Sequence, residues 1–180
     1  MDERVAELLR CTEQDPLNGT LWNRVGANLW YFGQYDKSAR AFERAVEVDP
    51  KNAFAFANWG KMLVQAGKPE EALERCSHAG PDDWGRQECE ALAYQALGQP
   101  ERAQEAIQAM LDEGGGDRSV QVGLVFACWG RVDEAFTHFE QGVAAHARML
   151  HDSLRHPCIE AISSDPRWAA IRQKMNLPPN

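Results

Sequence analysis

The side chains of this 180-residue chain that could carry chemistry are five cysteines, five histidines and a few paired carboxylates. Cys11, Cys76, Cys89, Cys128 and Cys158 are widely spaced. None forms a Cys-x-x-Cys unit, so no zinc ribbon or dithiol motif is written locally. An odd, scattered set predicts free thiols rather than a disulfide framework. Most fall at helical phases where a small hydrophobe would serve, and a reducing cytoplasm is the expected setting. The best metal grouping is His151, His156 and Cys158. Zinc takes imidazole and thiolate, but at spacings unlike this one, and a carboxylate would have to complete the set. His138 and His146 stand eight residues apart, about two helical turns, too far to share an ion. No metal or other cofactor is expected.

The carboxylate pairs Asp82-Asp83, Asp112-Glu113 and Asp133-Glu134 fall where helices are expected to begin, end or turn. Caps and solvated faces account for them better than acid–base work. The chain has no Gly-x-Ser-x-Gly elbow and no His-Glu-x-x-His. Gly67-Lys68 lacks the spaced glycines of a phosphate loop, and Gly114-Gly115-Gly116 reads as a flexible joint. No catalytic residue is expected, and the chain reads as non-enzymatic.

The elements that would position any site follow from a repeat. Gly33, Gly67, Gly98 and Gly130 lie 34, 31 and 32 residues apart, each followed five positions later by Ser38, Ala72, Ala103 or Ala135. With no strand signal, that period predicts stacked helix–turn–helix units. In the clearest unit Trp22, Val25, Gly26 and Leu29 share one helical face. Gly33 closes that helix, since glycine tolerates the left-handed conformation. Ala39, Phe42, Ala45, Val46 and Val48 line a second helix, which Asp49-Pro50 ends. Gly26, Gly60, Ala91 and Gly123 each precede the inter-helix glycine by seven residues. A mid-helix glycine costs roughly 1 kcal/mol against alanine, so the shared phase predicts close packing there.

These residues resemble the tetratricopeptide repeat. The first unit has Trp22, Val25-Gly26, Leu29, Gly33, Tyr35, Ser38, Phe42, Ala45 and Pro50. The second has Phe56, Trp59-Gly60, Leu63, Gly67, Ala72, Cys76 and Ala79, and is cut short at Gly80-Pro81. The third keeps Ala91, Tyr94, Gly98, Ala103 and Ile107, and the fourth Val122-Gly123, Phe126, Gly130, Ala135 and Phe139. The close, Asp165-Pro166-Arg167-Trp168 followed by Lys174-Met175-Asn176-Leu177-Pro178, is similar to the end of many bacterial members. The resemblance implies an all-α solenoid of antiparallel helix pairs, a single domain over 1–180. Its parts would be a capping helix at 2–13, repeats at about 19–52, 53–81, 82–113 and 117–147, and a C-terminal cap at 149–180. Individual helices are expected at 20–32, 36–48, 53–66, 69–79, 84–97, 101–112, 117–129 and 132–147.

Charge narrows the partner class. The net charge is −8 and the pI near 5.1. No basic stripe stands out, so nucleic acid is not an expected partner. No apolar run reaches membrane-spanning length. The charged start, Met1-Asp2-Glu3-Arg4, does not read as a signal peptide.

The resemblance also implies that the first helices of the units form a concave wall. The face opposite Trp22, Val25, Gly26 and Leu29 gives a partner-binding groove of Asn23, Trp30, Phe54, Asn58, Lys61, Gln65, Glu88, Leu92 and Gln95. Trp30 and Tyr31 could equally pack between helices. Aromatics and amides on such a wall suit apolar anchors of a peptide or helix. The carboxylate clamp of co-chaperone repeats is not matched: only Asn58 stands in place, with Asn23, Ala27, Gly85 and Cys89 at the other positions. The expected function is therefore a scaffold for a protein or peptide partner. The alternatives are a homo-oligomer whose groove or apolar fourth repeat is filled by another copy, and a small enzyme with an unrecognised site. Val120 to Trp129 is apolar almost all round and needs cover. Ile159, Ile162, Trp168, Ile171 and Met175 predict that the tail folds back over Leu124 and Cys128, closing the C-terminal end of the groove.

Overall fold

The structure is a computed structural model that describes residues 3–80 and 84–177. The Asp82-Asp83 pair and the closing Pro178 lie outside the described residues. The described residues form helices and turns, with no strand among them. They divide into two compact units, residues 1–103 and 104–180.

The first unit holds α1 (Glu3–Gln14), α2 (Gly19–Tyr31), α3 (Tyr35–Val48), α4 (Ala53–Gln65), α5 (Pro69–Ser77) and α6 (Trp84–Ala96). The unit boundary falls inside α7 (Pro100–Glu113). Helix pairs α2–α3 and α4–α5 pack as hairpins, and α2, α4 and α6 lie side by side. Each inter-helix glycine adopts a left-handed φ, 68° at Gly33 and 77° at Gly67, where a Cβ would be strained. Two starts share one device: the Asn18 side chain accepts from Leu21 N, and Asn52, 34 residues on, accepts from Ala55 N, each at 3.1 Å. Such a cap satisfies an orphan donor and contributes about 1 kcal/mol.

The mid-helix glycines have the packing reason their phase predicts. A Cβ on Gly26 would stand 2.7 Å from the Phe42 ring. In the second unit one on Gly123 would stand 2.7 Å from the Phe139 ring. At Gly60 no aromatic fills the space; its Cβ would strike Cys89 Sγ and lie 3.0 Å from Cys76 Sγ. Those sulfurs are bonded. Cys76 on α5 and Cys89 on α6 form a disulfide with Cα atoms 5.9 Å apart, and Cys128 and Cys158 form another with Cα atoms 4.8 Å apart. This corrects the expectation of free thiols. Sequence separations of 13 and 30 residues conceal neighbours that helix packing brings together. Cys11 remains a thiol.

The second unit holds α8 (Gly116–Cys128), α9 (Val132–Ala144) and three short helices, α10 (Met149–Ser153), α11 (Pro157–Ile162) and α12 (Pro166–Lys174). Every residue of α8 from Val120 to Ala127 is buried. Helices α9, α10 and α11 pack on it, and α12 packs on α9. The tail thus covers apolar surface as its own composition predicts. Leu150, Ile159, Ile162, Trp168 and Ile171 are all buried, and Trp168 meets the rings of Phe136 and Phe139 edge-on at 6.4 and 5.8 Å. Asp165 caps α12 by accepting from Arg167 N at 2.9 Å. Arg167 also bonds Asp133 of α9 at 2.8 Å and lies over the Phe136 ring. Its guanidinium draws the Asp165 carboxyl down to about 2.

Candidate partner-binding face

Helix α4 carries the centre of the candidate face. Phe54, Asn58, Lys61 and Gln65 follow at intervals of four, three and four, one stripe along the helix. Three of the four are tied to a neighbouring first helix. Asn58 Nδ2 donates to Asn23 Oδ1 of α2 at 3.1 Å. Trp30 Nε1 of α2 donates to Gln65 Oε1 at 2.9 Å. Lys61 Nζ bonds Glu88 Oε2 of α6, also at 2.9 Å. The stripe is therefore a row of amide and ionic rungs between helices.

The rungs differ in burial, and this decides what each can do. Lys61 and Glu88 side chains are only 9% and 3% exposed. A buried ion pair contributes little net stability, because desolvation offsets the attraction, but it fixes which residues meet. Trp30 is 2% exposed and sits in a core with Phe42, Met62, Leu63, Ala72 and Ala93. Leu92 is 5% exposed. Four of the nine expected groove residues, Trp30, Lys61, Glu88 and Leu92, are thus buried, not displayed on an open wall. The physical reason for the ion pair is the close side-by-side packing of α4 and α6, which brings the two inner-row charges together. Of Trp30 and Tyr31, the indole packs between helices and the half-buried phenol lies against it, with ring centroids 5.0 Å apart.

Asn23, Asn58 and Gln65 are half-buried, and Phe54 and Gln95 are exposed. Phe54 is one of the few large apolar side chains left this open, at 46%. The Asn23–Asn58 rung uses one donor and one acceptor, so Asn58 Oδ1 and Asn23 Nδ2 can still take up one donor and one acceptor. That is the complement of a single peptide group.

The sequence reading places these residues on one face without pairing them. Asn23 with Asn58, and Trp30 with Gln65, are each 35 residues apart, about one repeat length. Polar residues matched at that offset are the signal for such rungs. The metal grouping is corrected for a related reason. His151 lines a concavity with Asp117, Arg148 and Met149. The side chain that joins His156 and Cys158 is Cys128, which stands 30 residues before Cys158 in the sequence.

Residues 19–52 match the tetratricopeptide repeat family. No curated protein matches the chain. Among solved structures, it is similar to TTC0263, a thermophilic TPR protein of Thermus thermophilus, with 17% identity over 88% of each chain and a TM-score of 0.63. It is also similar to YrrB, described as a TPR protein with an unusual peptide-binding site, with 17% identity, 93% of this chain and 89% of that one, and a TM-score of 0.52. A tetratricopeptide repeat protein from Parabacteroides merdae ATCC 43184 matches with 17% identity, 96% of this chain and 77% of that one, and a TM-score of 0.53. At these identities the likenesses establish the fold.

Proposed function

We propose that the chain, whose residues 19–52 match the tetratricopeptide repeat and whose fold is that of such arrays, is a non-enzymatic scaffold that holds a peptide or helix of a protein partner along the face of α2, α4 and α6. The observation that carries this reading is the Asn23–Asn58 rung beside the exposed Phe54. The rung is held in place before any ligand arrives, so it takes up a backbone amide without a further ordering cost. Phe54, one turn away on the same stripe, supplies an apolar anchor. YrrB offers a precedent for peptide binding on this fold. Gln65 and Gln95 would border the bound segment. Lys61 and Glu88 would set the register of the helices rather than touch the partner.

The compartment we propose is the cytoplasm, with the structure representing the oxidised state of four cysteines. None of the described helices is long and apolar enough to cross a membrane. A bacterial source is proposed on the form of the closing segment alone. Self-association through the apolar fourth repeat has less to support it, because α10 and α11 already cover α8.

The test is site-specific cross-linking. A photoreactive phenylalanine at position 54 and another at exposed Glu43 on α3 would be compared in native extract. Cross-links should form from position 54, to one defined partner segment, and fall in the Asn58→Ala background while circular dichroism stays unchanged. Equal yields from positions 54 and 43, insensitive to Asn58→Ala, would defeat the reading.

A further inference from the structure

Cys128, His156 and Cys158 bring their ligand atoms within 4.8 Å of one another, a convergence that the partner-binding face does not use. We propose that in the reduced chain these three residues bind one zinc ion, so that the metal and the Cys128–Cys158 disulfide are mutually exclusive occupants of one site. Two thiolates and an imidazole are the donor set that zinc favours over the harder divalent cations. Tetrahedral bonds of about 2.3 Å to sulfur and about 2.0 Å to nitrogen need donors some 3.5–3.8 Å apart. The imidazole therefore has about 1 Å to close at most. The sulfurs separate from bonding distance by rotation of their own side chains, since both sit at helix ends.

The site is built into the fold. Cys128 is the last residue of α8, and Cys158 lies in the first turn of α11, which packs on α8. His156 is the residue before α11, 4% exposed, and its Nδ1 accepts from Cys158 N at 3.3 Å. That contact fixes the ring and leaves its proton on Nε2, so Nδ1 is the nitrogen assigned to the metal. The metal would replace a long hydrogen bond there. The fourth position is left to solvent. Among the described residues no other three cysteine, histidine or carboxylate groups converge in this way, and Cys76–Cys89 has no such imidazole.

The balance is simple. A dithiol reductant gives two electrons and two protons to the disulfide and becomes a disulfide itself; the chain gains two thiols. Zinc then takes both sulfurs as thiolates and releases two protons, so binding strengthens as pH rises. Oxidation of the two thiolates by a disulfide returns the cystine and frees the ion.

The experiment is a cobalt(II) titration of the full chain, reduced with a phosphine and kept free of oxygen, followed by zinc. One equivalent should produce thiolate-to-cobalt charge transfer and intense tetrahedral visible bands, which zinc abolishes. The oxidised chain should give none. Cys128→Ser and Cys158→Ser should lose the bands, and His156→Ala should weaken cobalt binding roughly tenfold or more with an unchanged circular dichroism spectrum. Absence of bands in the reduced wild type, or equal binding in Cys158→Ser, would overturn the site. Should a variant fail to fold, alkylation of the wild type decides. Zinc should slow labelling of Cys128 and Cys158 but not of Cys76 and Cys89; equal labelling of all four would overturn the proposal.

Discussion

Lys61 and Glu88 form an ion pair whose two side chains are both buried. Lys61→Met strands the Glu88 carboxylate in a site where that side chain is 3% exposed. Breaking a buried pair from one side costs about 3–5 kcal/mol, whereas replacing both partners by apolar groups is often neutral. Urea denaturation should therefore show a large loss for Lys61→Met and recovery of most of it in Lys61→Met/Glu88→Leu. Equal stability of the two variants would show that the pair is not buried as described. His138 offers a second handle. Burial, with its ring stacked on Phe126, holds the imidazole below its ordinary value of 6.5, against the raising pull of Gln141 and Glu134. The neutral ring is the form that the fold favours. As pH falls below about 6.5 the unfolded chain takes up the proton first, so stability declines until the folded ring also titrates. His138→Gln should flatten the change in urea midpoint between pH 7.5 and 5.5; an unaltered slope would remove His138 as its source.

Among the elements, helix starts and stops were the best written in the sequence. Asp49-Pro50, Gly33 and Gly67 delimit α3, α2 and α4 by backbone restrictions that act within a few residues. The expected helix at 36–48 is found as Tyr35–Val48, and that at 53–66 as Ala53–Gln65. The caps follow the same local logic, and Asn52→Ala should lower stability by about 1 kcal/mol, measurable as a fall in melting temperature, with Asn52→Asp largely neutral. What could not be read was anything set by the approach of two helices. The Lys61–Glu88 pair, the Trp30–Gln65 bond and both disulfides depend on rotation of one helix about its axis against another. A drift of one position over a 13-residue helix exchanges a groove residue for a core one. That is how Trp30, Lys61, Glu88 and Leu92 came to be expected on an open wall, while Phe54 and Gln95, at the outer ends of their stripes, are indeed exposed.

The second unit depends on the segment after Met149 to cover the apolar faces of α8 and α9. Trp168, Ile159, Ile162 and Ile171 bury themselves on α8 and α9, and each such side chain contributes roughly 1.5–3 kcal/mol as an upper estimate. Deletion of residues 149–180 should aggregate the protein or lower its melting temperature by many degrees, as light scattering and calorimetry would show. A monomeric truncation of undiminished stability would contradict the packing. The two cystines have a mechanical consequence as well. Their spans, 76 to 89 and 128 to 158, follow one another without interlacing. A chain pulled from its two ends can therefore never draw out the residues inside them while the bonds hold. The bonds bypass 13 and 30 residue-to-residue steps and so shorten its full extension by roughly 140 Å, at about 3.5 Å per step less the few ångströms that each cystine spans. On an optical trap, a reducing agent should release that length in two steps, the shorter from the first unit and the longer from the second, so that the covalent state of each can be read from the length of a single molecule.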